Sequence, residues 1–200
     1  MLADQGPRGL SHLKVDRHAG VPDGTTSFYY RTRAALLHGI ADQLVRYDAE
    51  TFTEVFKDAP NSSGEVIARM LADQILSVGR EPQLSRTRAR LELTMSARRD
   101  PGIASGFRQI SESYRALAER LVMALHHANG IEMDRALCDE QTSVLLTYLS
   151  GQVFALANES PDVLTREDIE RQIHAVIMGV AAERAARQTP SSDSNGVRAK

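Results

Sequence analysis

The stretch GLSHLKVDRHAGVPDGTTSFYYRTRAALL, residues 9–37, decides the reading of the fold. Two short helical pieces flank the turn Ala19-Gly20-Val21. Ser11 is placed to cap the first piece, and Leu13 and Ala19 are expected to face inward. Gly20 supplies the positive φ that a tight interhelical turn needs, and Val21 is expected to insert between the two helices. Pro22 fits the first turn of the second piece, where a missing N–H is no loss, and Asp23 suits its positive end. This order is that of a helix-turn-helix unit. Two short helices around a glycine turn are also a common structural element, so spacing alone leaves a bland reading open.

The second piece and its exit carry Thr25, Thr26, Ser27, Tyr29, Tyr30, Arg31 and Arg33, a density of hydroxyl and guanidinium groups unusual for a buried element. Such groups suit a DNA surface. Hydroxyls reach phosphates and base edges, threonine methyls meet thymine methyls, and arginine pairs with phosphate. Charge agrees with this: residues 1–36 hold five basic against three acidic side chains, while the chain as a whole has a net charge of −2. Any nucleic-acid contact therefore comes from a local patch and not from overall charge.

Outward from this segment the chain reads as all-α. From Arg33 to Lys57 the apolar residues Leu36, Leu37, Ile40, Ala41, Leu44, Val45, Phe52, Val55 and Phe56 recur at steps of three and four, predicting one long amphipathic helix. Asn61-Ser62-Ser63-Gly64 caps a second helix that Gly79 ends, and a third runs from Gln83 to Arg99. After Asp100-Pro101-Gly102, a seam of Ile103, Phe107, Ile110, Tyr114, Leu117, Leu121 and Leu125 predicts a bundle helix ending at Asn129-Gly130. A helix from Asp134 and a last one near Thr165 follow, the latter opened by a capping-box-like Thr165-x-x-Asp168. No strand pattern and no internal repeat competes. The tail from Thr189, TPSSDSNGVRAK, is polar and is expected to be disordered.

A chain of 200 residues with 42% hydrophobic content can bury a substantial core. One cysteine, Cys138, can make neither an internal disulfide nor a thiolate zinc site, and no signal-peptide pattern opens the chain, so the expected compartment is the cytoplasm. Gln141 to Asn158 is 18 residues without charge, yet only 10 are apolar, which predicts a helix covered by protein and no membrane span. Only three of the 24 basic residues are lysine, an arginine-rich bias common in chains from GC-rich bacterial genomes.

Residues 19–37, AGVPDGTTSFYYRTRAALL, strongly resemble the signature of the tetracycline-repressor (TetR) family of bacterial transcriptional regulators, AGV-x-x-GT-x-x-x-Y-F-x-x-K followed by an apolar helix. Length and helix order resemble the family too. The resemblance implies a DNA-binding head over residues 1–46, a helical ligand-binding and dimerisation domain over 47–188, and the tail 189–200. It makes Leu10 to Ala19 the first helix of the motif and Pro22 to Tyr30 the recognition helix. Thr25, Thr26 and Ser27 would face the major groove, Tyr29 would hold one phosphate and Arg33 another, with Ser11 at the start of the motif. The implied protein is a homodimeric repressor that releases its DNA operator on binding a small-molecule effector. Two departures stand out. The family places a further helix of about 15 residues before the motif, where only Met1 to Gln5 stand, so either the start codon is set too far downstream or the head is truncated and loosened. Tyr30 stands where phenylalanine is usual and Ser27 where tyrosine is common.

Small residues on the last two helices, Gly151 and Ala155 on one and Ala175, Gly179, Ala182 and Ala186 on the other, would let two copies pair closely. The alternative is packing of the same stripe within one chain. An effector pocket would be lined by Met95, Phe107, Tyr114, Val144 and Tyr148, with Arg90 or Glu92 as polar anchors, although such a stripe also suits plain core.

An enzyme is not expected, and neither a metal nor a cofactor. His126 and His127 are adjacent and so point about 100° apart on a helix, and with His174 they read as surface or cap residues. Asp139-Glu140 and Glu167-Asp168 are adjacent acids near helix starts. Two rivals to the regulator remain: a helical dimeric sensor or partner-binding module without DNA binding, and a second anionic contact surface at Arg80, Arg86, Arg88, Arg90, Arg98 and Arg99.

Overall fold

The structure is a computed structural model that describes residues 1–97, 100–130, 134–159 and 164–188, with the side chains at 96, 97 and 188 excepted. The described residues are all-α and include no strand. The helices are α1 (Leu2–Gln5), α2 (His12–Ala19), α3 (Thr25–Tyr29), α4 (Arg33–Phe56), α5 (Gly64–Val78), α6 (Gln83–Ala97), α7 (Pro101–Ala128), α8 (Arg135–Ala157) and α9 (Arg166–Gln188). The tail from Thr189 and the pair Arg98 and Arg99 lie outside the described residues.

Helix starts follow capping chemistry. Hydroxyls of Ser11, Thr32 and Ser63 accept backbone N–H groups of α2, α4 and α5, and the carboxylates of Asp100 and Asp134 do so for α7 and α8. At α9 the box is reciprocal, with Thr165 N donating to Asp168 at 3.1 Å and Asp168 N donating to Thr165 Oγ1 at 3.1 Å. α3 begins later than expected, at Thr25, because Pro22 to Gly24 form a turn whose last residue has φ 99°.

Two apolar clusters hold the molecule. The larger joins the end of α4 to α5, α7, α8 and α9 through residues such as Ile67, Leu121, Leu145 and Ile173, all at 0% exposure. The smaller brings Leu2 of α1 and Ala41 and Leu44 of α4 against Ala89 and Leu93 of α6 and Ile103 and Phe107 of α7. Met1 to Gln5 thus form a helical turn docked on α6. The long α4 takes part in both clusters, and α2 and α3 sit ahead of it, packed on each other.

His126 corrects the expectation of a surface or cap histidine, since it lies at 0% exposure. Its place on the α7 seam, one residue after Leu125, turns it into the core. No described helix is long and apolar enough to cross a membrane. Leu121 sits at the centre of the large cluster, so Leu121→Ala is expected to cost about 2–5 kcal/mol in urea unfolding with an unchanged m-value.

Candidate nucleic-acid interface and interior cavity

The five-residue α3 is too short to be stable alone and is held at both ends by α2. Asp16, at 0% exposure, accepts hydrogen bonds from Gly24 N at 2.8 Å, from Thr26 N at 2.7 Å and from the Thr26 hydroxyl. Its anion thus meets the unsatisfied N–H groups at the start of α3. At the far end, His12 Nε2 donates to the Tyr30 carbonyl at 2.6 Å. Gly20, with φ 68°, makes the left-handed turn between the helices. Beyond α3 the Tyr30 ring lies on Gly39 of α4, where any Cβ would overlap it.

Three expectations about this join are corrected. Leu13 is 43% exposed and Val21 37%, and Ala19 is exposed as well, so the contact between α2 and α3 is not an apolar staple. The buried group is the carboxylate, because the start of α3 offers N–H donors and not methyl groups. Thr26 does not face outward either: it is 8% exposed, with its hydroxyl committed to Asp16. It serves the architecture of the turn, which explains why it cannot present that hydroxyl to a groove.

The outer face of α3 carries Ser27, Phe28 and Tyr29. Phe28 and Tyr29 are 77% and 73% exposed, with their rings edge to face at 5.2 Å. Thr25 Oγ1 donates to the Pro22 carbonyl at 2.7 Å and Ser27 Oγ to the Gly24 carbonyl at 2.9 Å, which leaves both oxygens free to accept. Ser11 is spent on its cap, accepting from Lys14 N at 3.3 Å. The exposed Arg33 guanidinium donates to the Pro7 carbonyl. Sequence reasoning missed Asp16, His12 and Phe28. The available signal was an acid at position 16 on the face that Leu13 and Ala19 were expected to bury.

A second feature lies in the helical body. A cavity of about 410 Å³ opens between α4, α5, α6, α7 and α8. One side is polar: Arg90 on α6 pairs with Asp48 on α4 at 2.8 Å, both mostly buried, beside Tyr114, Gln74, Ser111 and Arg115. The other is apolar, formed by Leu71, Ile75, Val78, Leu146, Leu149 and Val153. Burial pushes the Tyr114 hydroxyl up to about 12, the Asp48 charge adds to this, and the Arg90 charge and a Gln74 hydrogen bond oppose it. Phe52 and Phe56 of α4 hold the Tyr114 ring at 5.0 and 6.1 Å.

Of the residues expected to line a pocket, Arg90 and Tyr114 meet here. The other five do not: Glu92 is exposed and lies beside Gly6, away from this cavity. Phe107 is packed in the smaller core cluster, Met95 is 74% exposed, Val144 is 40% exposed, and the Tyr148 hydroxyl donates to Gln172 at 2.7 Å. Val144 stands four and seven residues before Tyr148 and Gly151, on the stripe that faces away from the cavity. Asp48, Gln74, Thr87, Ser111 and Arg115 were missed, since nothing in the helical spacing singles out these polar residues from others on the same helices. The arginine series is largely committed inside the chain: Arg86 lies 4.0 Å over the Tyr47 ring, Arg88 binds the Ala157 carbonyl and Glu159, and Arg90 holds Asp48. Among the described residues, no group of three or more His, Cys, Asp or Glu is arranged to hold a metal ion.

No protein-family model matches the chain, and no curated protein matches it in sequence.

The Thr26 hydroxyl, ahead of the backbone N–H bonds, holds the Asp16 carboxyl below its usual range. A lowered folded-state value means that the stability Asp16 adds is complete above the unfolded value of ~3.9 and is lost as pH falls through the folded one. Asp16→Ala is expected to raise amide hydrogen exchange at Gly24 and Thr26 about tenfold or more at pH 7, with α7 unaffected. In the unaltered protein the same loosening is expected only on acidification below about pH 4.

Proposed function

We propose that the protein is a homodimeric, ligand-responsive DNA-binding transcriptional regulator of the TetR type, acting as a repressor. In this reading α2 and α3 form the helix-turn-helix head, and α3 enters the major groove. The observation that carries it is the outer face of α3. There Ser27, Phe28 and Tyr29 stand exposed on a short helix braced from behind by Asp16 and His12, an arrangement that commits polar bonds to presenting large exposed rings. Since Asp16 is buried, the exposed charge of the head is more basic than the sequence count alone implies.

The dimer would form on α8 and α9. Gly151 and Gly179 have nothing within 4 Å of where a Cβ would sit, and Ala175, Ala182 and Ala186 are exposed while Ala155 is half-buried, so most of the small-residue stripe is open to a second copy. Phe154, 60% exposed, and Val144 add apolar area to α8. The cavity supplies the control. Asp48 lies 15 residues into α4 from Arg33, roughly 22 Å along the helix. A ligand that fits one placement of Asp48, Phe52 and Tyr114 would move α4 and with it the head. In a dimer this changes the separation of two heads that must match major grooves about 34 Å apart.

The test is recovery of a specific fragment from the organism's own DNA by the purified chain, followed by footprinting. Two protected half-sites related by a two-fold axis are expected. Tyr29→Phe and Arg33→Ala should each weaken binding by about fivefold to tenfold on every sequence alike, as lost phosphate contacts do. Unchanged affinity in both variants would remove α3 and its exit from the interface. A protein that stays dimeric yet retains no fragment would be the sensor or partner-binding module instead.

A further inference from the structure

We propose that the interior cavity takes a small organic monoanion, a carboxylate carried on an apolar body, with its charged end toward α6 and α7. The inference rests on the cavity's being a ligand site, and it adds the ligand's charge and polarity.

The argument is one of charge matching. The cavity wall holds one carboxylate, Asp48, and it is already neutralised by Arg90 at 2.8 Å. The wall also carries Arg115, whose guanidinium pairs with no carboxylate among the described residues. The lining therefore has one positive charge left over. A cationic ligand would be repelled by that charge, and a neutral one would leave it to solvent alone. A carboxylate would satisfy it through a charge-assisted hydrogen bond. Tyr114 assists, because its hydroxyl stays protonated at neutral pH and can donate. The opposite wall, Leu71, Ile75, Leu149 and Val153, offers only apolar contact to the rest of the molecule. At about 410 Å³ the space lies at the small end of the range for ligand pockets, ~300–1,000 Å³. A single unmatched guanidinium favours one negative charge over two.

The experiment is calorimetry on the full chain at pH 7.5 with two matched series, 4-phenylbutyrate, 4-phenylbutan-1-ol and 4-phenylbutylamine, and octanoate, octan-1-ol and octylamine. Within a series the body is constant and only the charge changes. In at least one series the carboxylate is expected to bind about tenfold tighter than the alcohol, with the amine weakest. Arg115 is exposed, so its replacement is expected to leave the fold intact. Arg115→Gln should erase the gap between carboxylate and alcohol, and Arg115→Glu should reverse the order in favour of the amine. Alcohol binding as tight as carboxylate, or an amine preferred by the unaltered protein, overturns the charge assignment while leaving a ligand cavity. An order unmoved by both Arg115 variants overturns it too, as does absence of binding in both series. Release of bound DNA by the carboxylate, scored separately, reports on the regulator reading.

Discussion

A buried carboxylate organises the N-terminal part of this molecule. Asp16 gathers the Gly24 and Thr26 amides and the Thr26 hydroxyl, and these are the buried bonds that tie the start of a helix five residues long to α2, beside the exposed Arg17–Asp23 pair. The choice of an acid over an apolar side chain follows from what α3 offers at that end, which is a set of N–H groups lacking intrahelical partners. Such an anion would be costly to bury unpaired, and here every donor it needs is supplied within ten residues of sequence. The consequence is directional. With the inner face of α3 tied down by Asp16 and His12, its remaining side chains can only point away from the body.

The long α4 turns that local arrangement into a connection. Its first half receives the Tyr30 ring at Gly39 and holds Asp100 through His38 at 2.7 Å, while Asp100 also caps α7. His38, more than any other neighbour, keeps the Asp100 carboxyl below its usual range. The second half of α4 carries Asp48, Phe52 and Phe56 to Arg90 and Tyr114 at the cavity. One rigid element thus touches the rear of the head, the start of α7 and the wall of the cavity. That continuity is what the proposed control by a ligand would use.

Much of the architecture was legible in the sequence because helices announce themselves by period and punctuation. Ser63, Asp100, Asp134 and the Thr165–Asp168 box mark helix starts chemically, and those starts fall at or within a residue or two of where the capping residues place them. Gly20 was readable for the same reason, since only a residue tolerant of positive φ fits that turn. What was not legible is which way a polar residue faces on a short helix. Thr26 and Ser27 are neighbours of similar chemistry, and only the reach of Asp16, ten residues back, decides that one is buried and the other exposed. The cavity was legible in part: Arg90 and Tyr114 stood out by type. Asp48 did not, because its importance lies in a partner 42 residues away. Val144 and Met95 were placed on the wrong face because α6 and α8 are apolar on more than one side, and a period alone does not choose between them.

The central claim is that the braced head meets DNA through its exposed α3 face and the basic residues around it. The most direct test is the salt dependence of binding to a fragment recovered from the organism's own DNA. Electrostatic docking of two heads predicts that the logarithm of the association constant falls linearly with the logarithm of salt concentration, by about 0.9 per phosphate neutralised and with a total slope of ~−4 or steeper. A slope near zero, or no retained fragment at low salt, would contradict the account.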